Sequence, residues 1–286
     1  MWYRKFYNCG FKLKNMPEIT VGVIGVGHFG TALIKGILSH SNQVQILLTE
    51  RDSPKLIADE YHHRISGSSV KGIGDIKSLK QNSDVIILCV RPQNMGEVME
   101  NLIDYDKLII SFAAGLPISY YEDIKPDIKL IRAMSNLSIE YGKGVVGWVT
   151  NKHCKISDES SYYKIFNNLA YSFQYKQDEE SNLDTVTTIS GSGIAYLAQV
   201  FDTVKGFGIE NGLSDSNSEI IIQRTVEGVL SLMENTDFKL NEIVKMVASK
   251  GGTTEAGIET MEKAGLQKAL TKGLVATLEK CQQIRK

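Results

Sequence analysis

From Ile19 to about Lys176 the chain sets short apolar runs against longer segments of helical length. The runs are Ile19 to Gly25, Val44 to Thr49, Asp84 to Val90, Lys107 to Phe112 and Ile128 to Ala133. Apolar residues at successive rather than alternate positions mark strands buried on both faces, as in a parallel sheet covered by helices. The intervening segments, such as Phe29 to His40 and Pro92 to Leu102, are long enough for right-handed crossovers between parallel strands. The pattern therefore predicts a doubly wound α/β domain over residues 19–177. Val145 to Thr150 and Tyr171 to Tyr175 are expected as two further edge strands around a helix near Ser157 to Leu169.

From Asp184 onward the strand-like runs stop and apolar residues recur at helical spacing: Ile222, Val226, Val229, Leu230 and Met233, then Leu266, Leu270, Leu274 and Leu278. Residues 178–286 are predicted to be all helical. Asn211-Gly212 is a helix stop, and Ser214 or Asp215 the next N-cap. About five helices in ~100 residues bury only a limited core, so the stripes are expected to continue into a partner subunit.

Composition narrows the partners. Lys and Arg total 32 against 33 acids, a net charge of -1, which gives no global attraction for nucleic acid or an anionic membrane. No stretch approaches the ~18 uninterrupted apolar residues of a spanning helix. Cys9, Cys89, Cys154 and Cys281 lie far apart without a C-x-x-C pair, so neither a metal site nor a disulfide framework is signalled, and a reducing, cytoplasmic location fits. Residues 1–18 form a basic extension, in which Met1 to Pro17 carry Arg4, Lys5, Lys12 and Lys14 and no acid. Without serine this is a poor transit peptide, so organellar targeting stays open beside a frayed extension upstream of Met16.

The first chemistry-bearing motif is Gly25-Val26-Gly27-His28-Phe29-Gly30, placed between the first strand and the first helix. Gly25 allows the tight turn, Gly27 lets backbone amides approach a pyrophosphate, and Gly30 lets helix and strand pack closely. In this context the motif is a dinucleotide-binding fingerprint of Rossmann type rather than a packing turn. His28 is read as a loop side chain near phosphate. The end of the second strand should meet the adenine ribose, and its signals conflict. Glu50 suits the two ribose hydroxyls of NAD, whereas Arg51, flanked by Thr49 and Ser53, suits the 2'-phosphate of NADP; the balance favours NADP. Val90-Arg91-Pro92 and Ala113-Ala114-Gly115 end the next strands on the same crevice, with small residues that make room for the nicotinamide ribose.

Ser249-Lys250-Gly251-Gly252-Thr253-Thr254 lies between two helical segments. Two consecutive glycines let amides converge on one point and three hydroxyls add donors, the makings of a carboxylate nest at a helix N-terminus. A plain helix start capped by Thr253 or Thr254 is the competing reading. Ser190-Gly191-Ser192-Gly193 heads another helix and permits close backbone contact. The histidines His40, His62, His63 and His153 form no catalytic pattern.

In order along the chain, the fingerprint turn, Val90-Arg91-Pro92-Gln93, Ser111 with Ala113-Ala114-Gly115, Arg132 with Met134 and Asn136, Gly191-Ser192-Gly193 with Ala195-Tyr196, and Gly251-Gly252-Thr253-Thr254 with Gly257 resemble the pyrroline-5-carboxylate reductase family from about Ile19 to Lys280. The resemblance implies NAD(P)H-dependent reduction of 1-pyrroline-5-carboxylate, a cyclic imino acid, to proline. It further implies Thr254 as the hydroxyl at the ring nitrogen, Ser249, Gly251, Gly252 and Thr253 as the carboxylate loop, and Asn136 and Ala114 as cofactor-crevice positions. An interlocked homodimer or larger homo-oligomer through the helical half, with active sites shared between subunits, is implied as well. The chain departs from the family at Ser135, Ser138, Ile194 and Lys250, where the family usually has prolines, and proline would fix φ and narrow these loops. A reductase of another small cyclic imine or keto acid is therefore the alternative, with a catalytically inactive nucleotide-binding regulatory protein behind it. No G-x-N-x-x-K stretch supplies the lysine of a 3-hydroxyacid dehydrogenase.

Overall fold

The structure is a computed structural model, and it describes residues 19–41, 44–49 and 70–285. The described residues divide into two compact units. One runs to Ser192 and takes in the end of the chain from Ala276; the other is Gly193–Val275.

In the first unit the strands are β1 (Ile19–Ile24), β2 (Val44–Thr49), β3 (Val70–Gly72), β4 (Val85–Leu88), β5 (Leu108–Ser111), β6 (Lys129–Met134), β7 (Gly144–Thr150) and β8 (Ala170–Tyr175). They form a single sheet in the order β3-β2-β1-β4-β5-β6-β7-β8. The first six are mutually parallel, β7 runs antiparallel to β6, and β8 is parallel to β7. All five predicted inner strands are present. β3, only three residues long, was not anticipated, because a strand that short carries too little periodicity to be read.

Alternation along the strands sorts side chains onto two helix-covered faces. On one face Val21, Val23, Ile46, Leu48, Ile87, Ile110 and Ile131 pack with Leu33, Ile34 and Ile37 of α1 (His28–His40) and with Tyr162, Ile165 and Phe166 of α5 (Ile156–Phe166). Trp148 stacks on Tyr162 with ring centroids 4.3 Å apart, extending this layer to β7. On the other face Ile86, Leu88, Ile109 and Leu130 meet four further helices: α2 (Ile76–Asn82), α3 (Met95–Asn101), α4 (Ile118–Ile124) and α6 (Asn182–Val186). The doubly wound arrangement follows, and it brings the carboxyl ends of β1, β4, β5 and β6 to one edge of the sheet.

The second unit is helical: α7 (Gly193–Glu210), α8 (Asp215–Asn235), α9 (Leu240–Val247), α10 (Thr253–Lys263) and the first part of α11 (Leu266–Ile284). Gly212 adopts φ +93° after α7, and the Ser214 side chain accepts from the Asn217 amide to cap α8. Of residues 193–275 only Gly193, Ser218 and Ile243 are buried. Leu197, Val204 and Phe207 on α7 and Ile220, Leu230 and Met233 on α8 stay exposed. Such a unit has no core of its own. No helix among the described residues is long and apolar enough to cross a membrane.

Candidate functional site

The glycine turn sits where β1 gives way to α1. Gly25 has φ +96°, a conformation that L side chains rarely adopt, and a Cβ there would lie 2.8 Å from Val90 Cγ1 and 2.9 Å from the Cys89 carbonyl carbon. Gly30 is closed off: a Cβ would lie 2.2 Å from the Gly25 carbonyl oxygen. At Gly27 nothing lies within 4 Å of the position a Cβ would take. This is the N-cap of α1; no side chain caps it, and no acid occupies the first turn. A helix start with orphaned amides, a positive dipole end and an unfilled approach is what a pyrophosphate requires. The turn fits a dinucleotide on this geometry. His28 is exposed, while Phe29 is half buried against the core, its ring 4.9 Å from that of Phe112. Phe29 is thus placed to contribute its backbone rather than its ring.

Beneath the turn lies Cys89, whose thiol is pushed up to about 12 by burial. The folded protein keeps it as a neutral thiol and an inert packing element. Iodoacetamide at pH 8 is expected to leave Cys89 unmodified until the protein is unfolded, as peptide mass mapping would show. Because this value is raised from an ordinary 9.0, the stabilisation by the buried neutral thiol is complete below about pH 9 and declines as pH climbs toward 12.

The neighbouring strand ends add small or fixed pieces. Val90 is half buried over Gly25, and exposed Arg91 precedes the 3-10 turn Pro92–Asn94. After β5 the Ala113 amide donates to Ser111 Oγ at 3.3 Å, and Ser111 Oγ shares a 2.6 Å hydrogen bond with Tyr121 OH. Burial raises the Tyr121 phenol well above its ordinary range, so it stays protonated. Half-buried Ala114 and buried Gly115, at φ +78°, complete the loop. After β6 the Asn136 Nδ2 donates to Ser190 Oγ at 2.7 Å, joining two expected motifs. Asn136 Oδ1 and Ser135 Oγ are buried without partners, two polar atoms available to a bound group. Glu50 and Arg51, expected at the adenine ribose, lie outside the described residues, as do Cys9, His62, His63 and the extension 1–18.

The expected carboxylate loop leads into α10. Gly252, not Thr253 or Thr254, is the N-cap, which corrects the plain-cap reading; the two threonines are the first helical residues. The amides of Gly251 and Gly252 do not converge on one external point. Gly251 N–H donates to Glu255 Oε2 at 2.6 Å and Gly252 N–H to the Ser249 carbonyl at 2.9 Å. Glu255, third in the helix, is within reach of the turn before it, much as in a capping box. The amides of Thr253 and Thr254, orphaned by helix geometry, are left to face an anion, with the hydroxyls of exposed Ser249, exposed Thr253 and half-buried Thr254 around them.

One cluster was missed in the sequence. Arg132, on β6, points to the face of Leu130 and Met134 and is fully buried. Its NH1 lies 2.8 Å from Glu180 Oε1 and its NH2 3.3 Å from Asp184 Oδ1. A charged residue inside a doubly covered strand must be paired, and that rule was the available signal that acids would meet it.

Comparisons with known proteins align with both units. The family model described as pyrroline-5-carboxylate reductase dimerisation matches residues 180–284, and that described as NADP oxidoreductase coenzyme F420-dependent matches residues 20–115. The pyrroline-5-carboxylate reductase of Methanosarcina acetivorans is 27% identical over 276 residues, covering 95% of this chain and 100% of that protein. That of Aquifex aeolicus is 28% identical, covering 92% of this chain and 97% of that one. Among solved structures, the pyrroline carboxylate reductase of Plasmodium falciparum with NADP bound shares the fold at a TM-score of 0.85, with 24% identity and coverage of 95% and 100%. The helical residues thus match a pyrroline-5-carboxylate reductase dimerisation model, and nearly the whole chain is similar to named pyrroline-5-carboxylate reductases.

Proposed function

We propose that the chain reduces 1-pyrroline-5-carboxylate to proline with a nicotinamide dinucleotide, NADPH in preference to NADH. The observation that carries the reading is the presence, in one chain, of a glycine turn left open at Gly27 and a helix start that presents Thr254 among unpaired amides. The end-to-end match to named pyrroline-5-carboxylate reductases supports the substrate, and NADP in the Plasmodium falciparum structure supports the cofactor.

A bound reduced nicotinamide supplies hydride. The chain's residues do the rest. In this reading Gly25, Gly27, His28, Phe29 and Gly30 hold the pyrophosphate, with Glu50 and Arg51 at the adenine ribose. Val90, Arg91, Pro92, Ala114, Gly115 and Asn136 border the nicotinamide end. Ser249, Gly251, Gly252 and Thr253 grip the carboxylate, which orients the ring. The Thr254 hydroxyl sits at the ring nitrogen and stabilises the amine as it forms. Lys250, exposed beside the loop, adds a cation that favours an anionic substrate. The same lysine, with Ser135, Ser138 and Ile194 in place of usual prolines, is what favours the second reading, a reductase of another small cyclic imine or keto acid.

The domain division at residue 177/178, a homo-oligomer built through the helical half and a cytoplasmic location belong to this proposal. Cys89, Cys154 and Cys281 are free, which suits a reducing compartment. The coreless helical unit and the dimerisation model over residues 180–284 support the oligomer. Leu230→Asp, a charge placed in an exposed apolar stripe, is expected to weaken self-association by about tenfold or more, ~1.4 kcal/mol, as sedimentation velocity across a dilution series would show.

The test of the reaction is NADPH and NADH oxidation by pure protein with pyrroline-5-carboxylate beside a panel of other cyclic imines and keto acids. The proposal expects the fastest turnover with pyrroline-5-carboxylate and NADPH. Faster turnover with another imine would select the second reading, and cofactor binding without any turnover would overturn both.

A further inference from the structure

The last turn of α11 belongs to the same compact unit as the sheet, and it rests on the loop after β5. A Cβ on Gly115 would lie 2.4 Å from Ile284 Cγ2 and 3.3 Å from the Cys281 carbonyl oxygen, so the helix end lies directly against the glycine backbone. Beside it Arg285 NH2 lies 3.2 Å from Asp184 Oδ2. Asp184, only 3% exposed at its side chain, has its other oxygen on Arg132. Glu180, the second partner of Arg132, also accepts the Ile118 amide at 2.9 Å. The segment from Ala113 to Ile118 is therefore held at three places: by Ser111 at its start, by Ile284 at Gly115, and by Glu180 at its end.

We propose that Ile284 and Arg285 are positioning residues for the nicotinamide end of the cofactor site, acting through the Ala113–Gly115 loop. The inference rests on the dinucleotide reading above. In a doubly wound sheet the half beyond the switch point, β4 to β6, faces the nicotinamide, whereas β1 to β3 face the adenosine. A clamp on the β5 loop therefore acts on one end of the cofactor only. The cluster carries two cations, Arg132 and Arg285, against two anions, Glu180 and Asp184. Without Arg285 one oxygen of a buried carboxylate loses its cation. Asp184, left with Arg132 alone, is then freer to shift, and a shift loosens Arg132, Glu180 and the Ile118 amide that Glu180 holds.

The test compares NADPH with 2'-phospho-ADP-ribose, which differs from it by the absent nicotinamide, as ligands of the full-length protein in calorimetric titrations without substrate. Ile284→Ala and Arg285→Ala are expected to weaken NADPH by about tenfold and leave 2'-phospho-ADP-ribose within about twofold. They are also expected to raise the KM for NADPH more than they lower kcat. Arg285→Lys, which keeps the charge, is expected to recover most of the NADPH affinity. Equal losses for both ligands, or a lower melting temperature with NADPH affinity intact, would make the clamp merely structural and overturn the proposal. Unchanged affinity for both ligands would overturn it too. If the wild-type chain binds neither ligand, the dinucleotide reading itself fails.

Discussion

Thr254→Ala is expected to lower kcat about a hundredfold, ~2.7 kcal/mol of transition-state stabilisation, while NADPH affinity stays within about twofold. The size follows from the chemistry. A positioned proton donor or a single donor to developing charge contributes about 10²–10³-fold. Hydride delivery to a C=N carbon leaves a nitrogen whose changing charge and proton need a partner. Thr254 is half buried in the first turn of α10, where the helix's positive end favours an anionic substrate and the hydroxyl has little freedom to be replaced by water. Thr254→Ser keeps the hydroxyl and is expected to keep most of the rate. Steady-state kinetics with both substrates varied, beside NADPH titration, separates the two parameters. An unchanged kcat would remove Thr254 from the mechanism.

Two substitutions in the same turn should fail in opposite ways. Gly30→Ala puts a methyl group 2.2 Å from the Gly25 carbonyl oxygen and 3.3 Å from Cys89 Cβ. The first of these neighbours is backbone, so α1 must move off the sheet. Overpacking typically costs about 1–3 kcal/mol, and a backbone clash belongs at the upper end. At roughly 2–4 °C per kcal/mol for a domain of this size, the melting temperature should fall by about 6–12 °C. Gly27→Val meets nothing within 4 Å, and the backbone there, φ -73° and ψ -171°, is extended and open to any residue. The fold should keep its melting temperature, and NADPH binding should weaken at least about tenfold because the side chain fills the approach to the amides. Thermal denaturation and calorimetric titration of the two variants distinguish packing glycine from binding glycine. A stable Gly30→Ala, or full NADPH affinity in Gly27→Val, would contradict this division of roles.

The inner strands were legible because each is a short apolar run buried on both faces, and the crossover lengths between them permit few topologies. Two features were not. β7 runs against β6, and nothing in the composition of Val145 to Thr150 encodes direction; that is decided by the short connection around the 3-10 turn Leu137–Tyr141. β3 is too short for periodicity to speak. Within the candidate site, the close packing at Gly25 and Gly30 could be read because glycine spacing follows directly from steric need. The loop at 249–254 was legible in composition but not in hydrogen bonding. Gly251 and Gly252 lower the barrier to many conformations, and the one adopted turns on Glu255, whose side chain takes the Gly251 amide. Arg132, Glu180, Asp184 and Arg285 are scattered across 154 positions of sequence (132 to 285, both included) and meet only through the fold, so the buried arginine announced that partners must exist without naming them.

The central claim is that this chain delivers hydride from a nicotinamide to the carbon of a cyclic C=N bond. The most direct measurement is product analysis after turnover of pyrroline-5-carboxylate with NADPH carrying deuterium at the transferable position of nicotinamide C4. The account predicts proline with a single deuterium on the ring carbon that had been doubly bonded to nitrogen. Proline without deuterium, or deuterium retained entirely on the cofactor, would contradict it.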